Sequence, residues 1–121
     1  MSDRSLARSI ALLVALGAAA CRAPVAEVEV ERNEDLRAEL LAMRDRDQEV
    51  RHFMAEKYQV SGSPLDPEDA ARWQEVDGAN TARLEEIVDA HGWPGIALVG
   101  EDGAGAAFLL AQHADHAPDF Q

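Results

Sequence analysis

Cysteine is almost absent from the chain: Cys21 is the only one among 121 residues. A single cysteine cannot form an intrachain disulfide, so the fold must be stabilised by its packed core. The sequence also has neither a cysteine pair nor an HExxH motif that would indicate a metal site. It therefore predicts no metal and no other cofactor.

Basic residues are scarce as well. Lys and Arg number 11 against 23 Asp and Glu, which gives a formal net charge of -12. Nucleic acids and anionic lipid surfaces are bound largely through Lys and Arg. The composition therefore argues against nucleic acid as a partner and against a broad contact with anionic lipid. A charge of this size mainly favours solubility, and it fits a soluble domain outside the cytoplasm.

The apolar run at the start of the chain is too short to span a bilayer. Residues 10–20 are apolar and follow Arg4 and Arg8, which is the order of parts in a signal peptide. Cys21 stands directly after them, where a bacterial lipoprotein is cleaved and acylated. We predict a lipoprotein-type signal peptide over 1–20, a lipid on Cys21 that attaches the protein to the membrane, and a location in the cell envelope. Secretion or periplasmic release after Ala20, or an uncleaved anchor, are the alternatives.

Two further regions follow the signal peptide. Residues 21–32 alternate Val and Glu in part, a period that also suits an edge strand. No second strand is predicted nearby to pair with it, so we interpret 21–32 as a tether. Residues 33–121 then form the predicted helical domain.

The helical domain begins with a long amphipathic pattern. Asn33 is a suitable N-cap, and one face recurs at spacings of three and four, through Leu36, Leu40, Met43, Asp47, Val50, Met54 and Tyr58. A second helix is predicted from Asp66 and Pro67. We expect Asp77-Gly78 to interrupt it, with Asp77 capping a third piece that ends at Gly92-Trp93-Pro94.

Residues 104–111 contain no charged side chain, so a helix there would be apolar on every face. We predict that this helix lies at the centre of the domain, with an extended link over 96–99 before it and Asp102 as its cap. The predicted fold is all-α: a compact helical bundle around a buried apolar helix.

Several short segments occur in a recognisable order. They are Asp47-Gln48 with Arg51, Asp77 with Asn80-Thr81 and Leu84, Gly92-Trp93-Pro94, Val99-Gly100, Ala106-Ala107, Gln112-His113-Ala114-Asp115 and Phe120-Gln121. Together they resemble an uncharacterised bacterial family, the domain of unknown function 6624, from about Leu36 to Gln121. The resemblance implies a mostly helical domain, often in secreted or lipid-anchored proteins, and no particular activity. Members of that family continue further, so the chain resembles a form that is short at its C-terminus.

Two polar sets on the predicted helices are candidates for a site. Asp47 interrupts an apolar face, and a carboxylate there needs a partner such as Arg51, one turn on. Gln48 lies on a neighbouring face. Asp77 and Asn80, three apart, suit capping of a helix, or a polar ligand held at its N-terminus. An ion pair between helices and a capping role are the structural interpretations of these two sets.

The third polar set ends the apolar helix and comprises Gln112, His113, Asp115 and His116. A histidine there suits the helix dipole, which is its structural interpretation. His113 could instead act with a carboxylate in binding or catalysis, or share a metal with His116 at a spacing of three. The last is the weakest interpretation, because no other ligand is indicated.

Two functions follow from these sets. The first is a lipid-anchored or secreted bacterial envelope protein whose small acidic domain binds a protein partner or a small ligand, with Gln48, Arg51, Asp77, Asn80 and Gln112 as candidate binding residues. The alternative is a hydrolase, in which His113 is the general base, Asp47 or Asp115 orients it, and Arg51 and Asn80 hold the substrate. Convergence of these side chains on one open site would favour a ligand site or an enzyme.

Overall fold

The computed structural model of the chain describes residues 30–115 and 117–120. Helix α1 spans Glu34–Met54 and continues as a π-helical segment over Ala55–Val60. Helix α2 spans Pro67–His91, and helix α3 spans Ile96–Gln112. No strand occurs in the described part of the chain, so the prediction of an all-α fold is confirmed. The predicted signal peptide, Cys21 and most of the predicted tether lie outside these residues.

The predicted starts of α1 and α2 are confirmed by their caps. Asn33 precedes α1, and its side-chain oxygen accepts a 2.9 Å hydrogen bond from the backbone N–H of Leu36. Asp66 accepts one of 2.8 Å from the N–H of Glu68, with Pro67 in the first helical turn. Both caps satisfy N–H groups that a helix leaves without internal partners.

The predicted interruption at Asp77-Gly78 is wrong. Helix α2 runs without a break through these residues to His91. Asp77 does not cap a helix: its backbone oxygen accepts a 2.8 Å hydrogen bond from the Thr81 hydroxyl, and its carboxylate binds Arg51. A glycine inside a helix costs only about 1 kcal/mol, which contacts with the neighbouring helix can offset.

The core lies between the three helices. Helix α1 packs against both α2 and α3, which also contact each other. The buried residues of this core are aliphatic or Met, with no aromatic among them: Leu36, Leu40, Met43, Leu84, Ile87, Val99, Ala106, Ala107 and Leu110. The apolar spacing read from α1 is therefore the face that the other two helices cover.

Helix α3 differs from its prediction in two ways. It buries one face, which includes Gly103, Ala106 and Leu110, while Phe108 on another face is 59% exposed. The prediction that this helix is buried on every face is wrong, because the other described elements cover only one of its sides. Residues 96–99 are helical rather than extended, and the axis kinks at Gly100, whose φ of 73° favours glycine.

The predicted cap Asp102 lies just beyond that kink. Its carboxylate accepts hydrogen bonds from the Arg37 side chain on α1, at 2.8 Å from Nε, and from the adjacent Gly103 N–H at 2.9 Å. Gly95, not Asp102, is the capping residue of α3. Asp102 therefore links α3 to α1 instead of starting the helix.

No helix among the described residues is long and apolar enough to cross a membrane.

Candidate functional site

Asp47 is a buried carboxylate with three side-chain partners. It is 1% exposed and lies on the face of α1 that is otherwise apolar. Gln48 Nε2 donates to Oδ2 at 2.8 Å, and Arg51 Nε donates to Oδ1 at 3.1 Å. His113 Nδ1 lies 2.9 Å from each of the two carboxylate oxygens. These partners compensate the loss of hydration that a buried charge would otherwise suffer.

His113 reaches Asp47 because it stands at the C-terminal end of α3. Its backbone N–H bonds the Leu109 and Leu110 carbonyls, both at 3.2 Å, and its side chain is 23% exposed. Since an ionised carboxylate only accepts, the hydrogen-bond geometry assigns the proton on Nδ1. The other ring nitrogen, Nε2, has no hydrogen-bond partner among residues 30–115 and 117–120. His113 is thus oriented by Asp47 and keeps one nitrogen for another contact.

Arg51 joins this pair to a second aspartate. Its Nη2 lies 3.0 and 3.2 Å from the two carboxylate oxygens of Asp77 on α2. The guanidinium also lies over the Trp73 ring, 5.2 Å from its centroid. Arg51 therefore bridges two helices: its guanidinium pairs with two carboxylates and makes a cation–π contact with the ring.

Asp77 is strongly affected by this setting. Burial raises the pKa of its carboxyl, while the positive charge of Arg51 lowers it and the charge of Asp47 raises it further. The buried indole N–H of Trp73 makes no regular hydrogen bond with any described residue, although it lies close enough to Asp77 to help lower that pKa. The net result is a pKa of Asp77 above its ordinary value, with Arg51 opposing part of the effect of burial.

The remaining predicted site residues lie outside this set of contacts. Asn80 is buried, and its Nδ2 donates to the Met43 backbone oxygen at 3.4 Å, so it joins α2 to α1 one turn before Asp47. Asp115 is exposed and has no described contact with His113. Gln112 is exposed and lines a different cleft. His116 lies outside the described residues, so the shared metal stays a prediction.

The sequence analysis did not assign Trp73 to the site. Trp73 is half-buried, and its ring lies against the guanidinium of Arg51. Its spacing held a signal, because Trp73 stands one helical turn before Asp77, as Asp47 stands one turn before Arg51. Two such pairs on adjacent helices can face each other.

The charges and geometry limit the chemistry of the site. In the neutral tautomer of His113 the proton lies on Nδ1, toward Asp47, and Nε2 carries no hydrogen. Nε2 then presents a lone pair, which can accept a hydrogen bond or a proton. Within the described part of the chain, no three His, Cys, Asp or Glu side chains are placed as metal ligands.

Comparison with known proteins identifies the family. A family model described as a family of unknown function, DUF6624, matches residues 34–121, and the chain belongs to this family. The match covers all three helices. Neither the curated proteins nor the solved structures that were compared include a match.

Proposed function

We propose that this member of DUF6624 is a lipid-anchored or secreted envelope protein whose domain binds a small ligand or a protein partner through Nε2 of His113. The observation that carries the proposal is the bond between His113 Nδ1 and the buried Asp47. It fixes the ring and directs the second nitrogen away from the carboxylate. A ring held in this way loses little freedom when a ligand binds.

The charge of the cluster defines the ligand class. The cluster contains two carboxyl groups and one guanidinium, and the carboxyl acceptors together with the lone pair on Nε2 favour a group that donates hydrogen bonds, such as an amine or a hydroxyl. The exposed amide of Gln48, which already donates to Asp47, borders the same carboxylate and offers its oxygen to such a donor. Arg51 is hydrogen-bonded to Asp47 and Asp77, and Asn80 is hydrogen-bonded to the α1 backbone. We therefore propose that both residues hold the site in place and do not bind the ligand themselves.

The experiment is a thermal-shift screen of the full chain against amines, amino sugars and amino alcohols. The informative variant is His113→Asn, because an asparagine amide can replace Nδ1 toward Asp47 but has nothing in the place of Nε2. We expect hits that raise the melting temperature of the native chain. Their affinity should fall about tenfold in the variant, the loss of roughly one hydrogen bond.

The matched control is His91→Asn, which changes an exposed histidine in the last turn of α2. It should leave the affinity unchanged. If every hit binds the His113→Asn variant as tightly as the native chain, His113 is not the binding group and the proposed site is incorrect.

The second candidate is a hydrolase, which the same aspartate–histidine geometry favours. In such an enzyme Nε2 of His113 takes a proton from water as its oxygen attacks an ester or amide carbonyl. The tetrahedral intermediate then breaks its bond to the alcohol or amine, and the imidazolium gives that proton to the departing group. Asp47 stabilises the imidazolium. Turnover of an ester panel that vanishes in His113→Asn, with the melting temperature retained, would favour this candidate over simple binding.

A further inference from the structure

Half of the aromatic side chains of this chain line one exposed cleft. The chain has two Trp, one Tyr and three Phe, and of these Trp93, Phe108 and Phe120 surround the cleft with Ala111 and Gln112. We call these five residues the aromatic cleft. Trp93 is 49% and Phe108 59% exposed. Phe120 is partly buried and packs against the core. Because large aromatic side chains favour burial, two exposed ones at the same cleft indicate an interaction surface.

The chain enters the domain beside the first turn of α3, which follows Trp93 of the aromatic cleft closely in the sequence. The Asn33 N–H donates to the Leu98 oxygen at 2.7 Å, and Val30 lines a common cleft with Ala97. Both contacts are to the first turn of α3. That turn begins at Ile96, which is 61% exposed and follows Trp93 by three residues. The end of the tether and exposed apolar side chains therefore lie on neighbouring parts of the surface.

The length of the tether limits how far this surface can lie from a membrane. Nine residues lead from Cys21 to Val30, and a fully extended chain of that length spans at most about 30 Å. A lipid on Cys21 would therefore keep the first turn of α3 within that distance of the bilayer. This step rests on the lipid anchoring included in the proposed function.

We propose that the aromatic cleft, together with Ile96, seats the domain on the surface of the bilayer that its lipid anchor enters. Trp is enriched at membrane–water interfaces, where its ring is apolar and its N–H remains hydrated. Phe and Ile add apolar area that can enter the boundary of the acyl chains. In this proposal the tether keeps the domain near the bilayer, and the side chains of the aromatic cleft contact the lipid.

The lipid that this surface fits is zwitterionic. No Lys or Arg of residues 30–115 or 117–120 lines the aromatic cleft, and an adjoining cleft that shares Phe120 is lined by three acidic residues, Glu85, Asp89 and Asp119. Anionic lipid would repel these carboxylates, whereas the apolar contact does not depend on charge. Seating should therefore persist at high salt, which screens charges, and weaken as anionic lipid is added.

The test uses the full chain, purified with its lipid and reconstituted in vesicles of phosphatidylcholine and phosphatidylethanolamine. Brominated acyl chains quench a tryptophan that lies at the membrane boundary. We expect quenching of the native chain that is lost in Trp93→Phe, because Trp73 then remains as the only tryptophan. The double variant Ile96→Ser with Phe108→Ser should lose at least half of the quenching of Trp93.

Val60→Ser is the matched control, since Val60 is 83% exposed but lies in the connection between α1 and α2. It should leave the quenching unchanged. Circular dichroism of each variant shows whether its helices are intact. Equal quenching in the native chain and in Trp93→Phe would overturn the proposed seating.

Mass spectrometry of Cys21 separates this proposal from the anchoring on which it rests. A lipid on Cys21 without quenching of Trp93 leaves the anchor standing and overturns the seating. If no lipid is found, the anchoring fails, and the full chain added to preformed vesicles tests the surface alone: quenching upholds seating, and its absence overturns it. Concentration-dependent shielding of Trp93 without vesicles would assign the surface to a second copy or another protein contact, which also overturns the proposal.

Discussion

His113 and Asp47 stand 66 residues apart in the chain, yet His113 Nδ1 lies 2.9 Å from both carboxylate oxygens of Asp47. This contact joins the end of α3 to the middle of α1. It places an ionisable ring against a carboxylate that is 1% exposed. The candidate site and part of the packing between these two helices therefore depend on the same pair.

Replacing the buried carboxylate tests how much it stabilises the fold. Asp47→Asn keeps the shape but leaves Arg51 and His113 facing an amide. We expect the free energy of unfolding to fall by about 1–3 kcal/mol, less than for a fully buried pair because both partners are partly exposed. Urea denaturation followed by circular dichroism measures it. Glu49→Gln, at an exposed site on the same helix, should change little; equal effects would contradict the role of Asp47.

We expect the bridge that Arg51 makes between α1 and α2 to require the shape of the guanidinium as well as its positive charge. It binds Asp47 and Asp77 through different nitrogens and lies over the Trp73 ring. A lysine cannot reproduce this fork, so Arg51→Lys should destabilise the domain by about 1–2 kcal/mol. Arg44→Lys, which alters an exposed contact with Asp45, is the control and should be near neutral in the same melt. If Arg51→Lys melts at the same temperature as Arg44→Lys, the bridging role is refuted.

The close approach at Gly103 predicts opposite results for two glycines of α3. A Cβ atom at Gly103 would lie 2.9 Å from the Val99 Cβ, whereas one at Gly105 would meet nothing within 4 Å. Gly103→Ala should therefore cost about 1–3 kcal/mol through overpacking. Gly105→Ala should stabilise the helix by about 0.5–1 kcal/mol, since alanine has the better helix propensity. Thermal melts of both variants decide it, and a stabilising Gly103→Ala would show that the contact is not tight.

The ion pair between Arg37 and Asp102 predicts one part of the acid sensitivity. Hydrogen bonds from Arg37 lower the pKa of Asp102 from 3.8 to about 2 in the folded chain. A carboxyl whose folded pKa is lowered contributes stability above its unfolded pKa and loses it as the pH falls toward the folded value. Stability should therefore drop between about pH 4 and pH 2, and less steeply in Asp102→Asn.

Urea midpoints taken at pH steps across this range measure the effect. Asp89→Asn, at an exposed position of α2, is the control and should follow the native chain. If the stability of Asp102→Asn falls with pH as steeply as that of the native chain, the pair of Arg37 and Asp102 is not the cause of the loss.

The contacts of the site within α1 were predictable from the sequence, whereas the contact with Asp77 on α2 was not. The spacing of Asp47 and Arg51 on one helix indicated an ion pair, and that pair is present. The hydrolase alternative named Asp47 or Asp115 as the partner of His113, and the structure brings Asp47 to it. The choice between the two depends on how α3 packs against α1, which no local pattern encodes. Asp77 was misplaced because Asp-Gly resembles a helix break, while its bond to Arg51 on another helix depends on tertiary packing.

The fold was predictable in its class and in the starts of α1 and α2, but not in the start or the environment of α3. A run without charges indicated burial on all sides, and Phe108 shows that an apolar helix can leave one side open. Hydropathy counts apolar residues and does not say how many neighbours are available to cover them.

The hydrogen bond from Asn33 to Leu98 has a mechanical consequence. Tension applied to the chain at residue 30 reaches the folded domain first at this 2.7 Å bond, and next at the pair of Arg37 and Asp102. Both links connect α1 to α3, and α2 takes part in neither. A pull from the N-terminal side therefore loads the junction of α1 and α3 before it reaches α2.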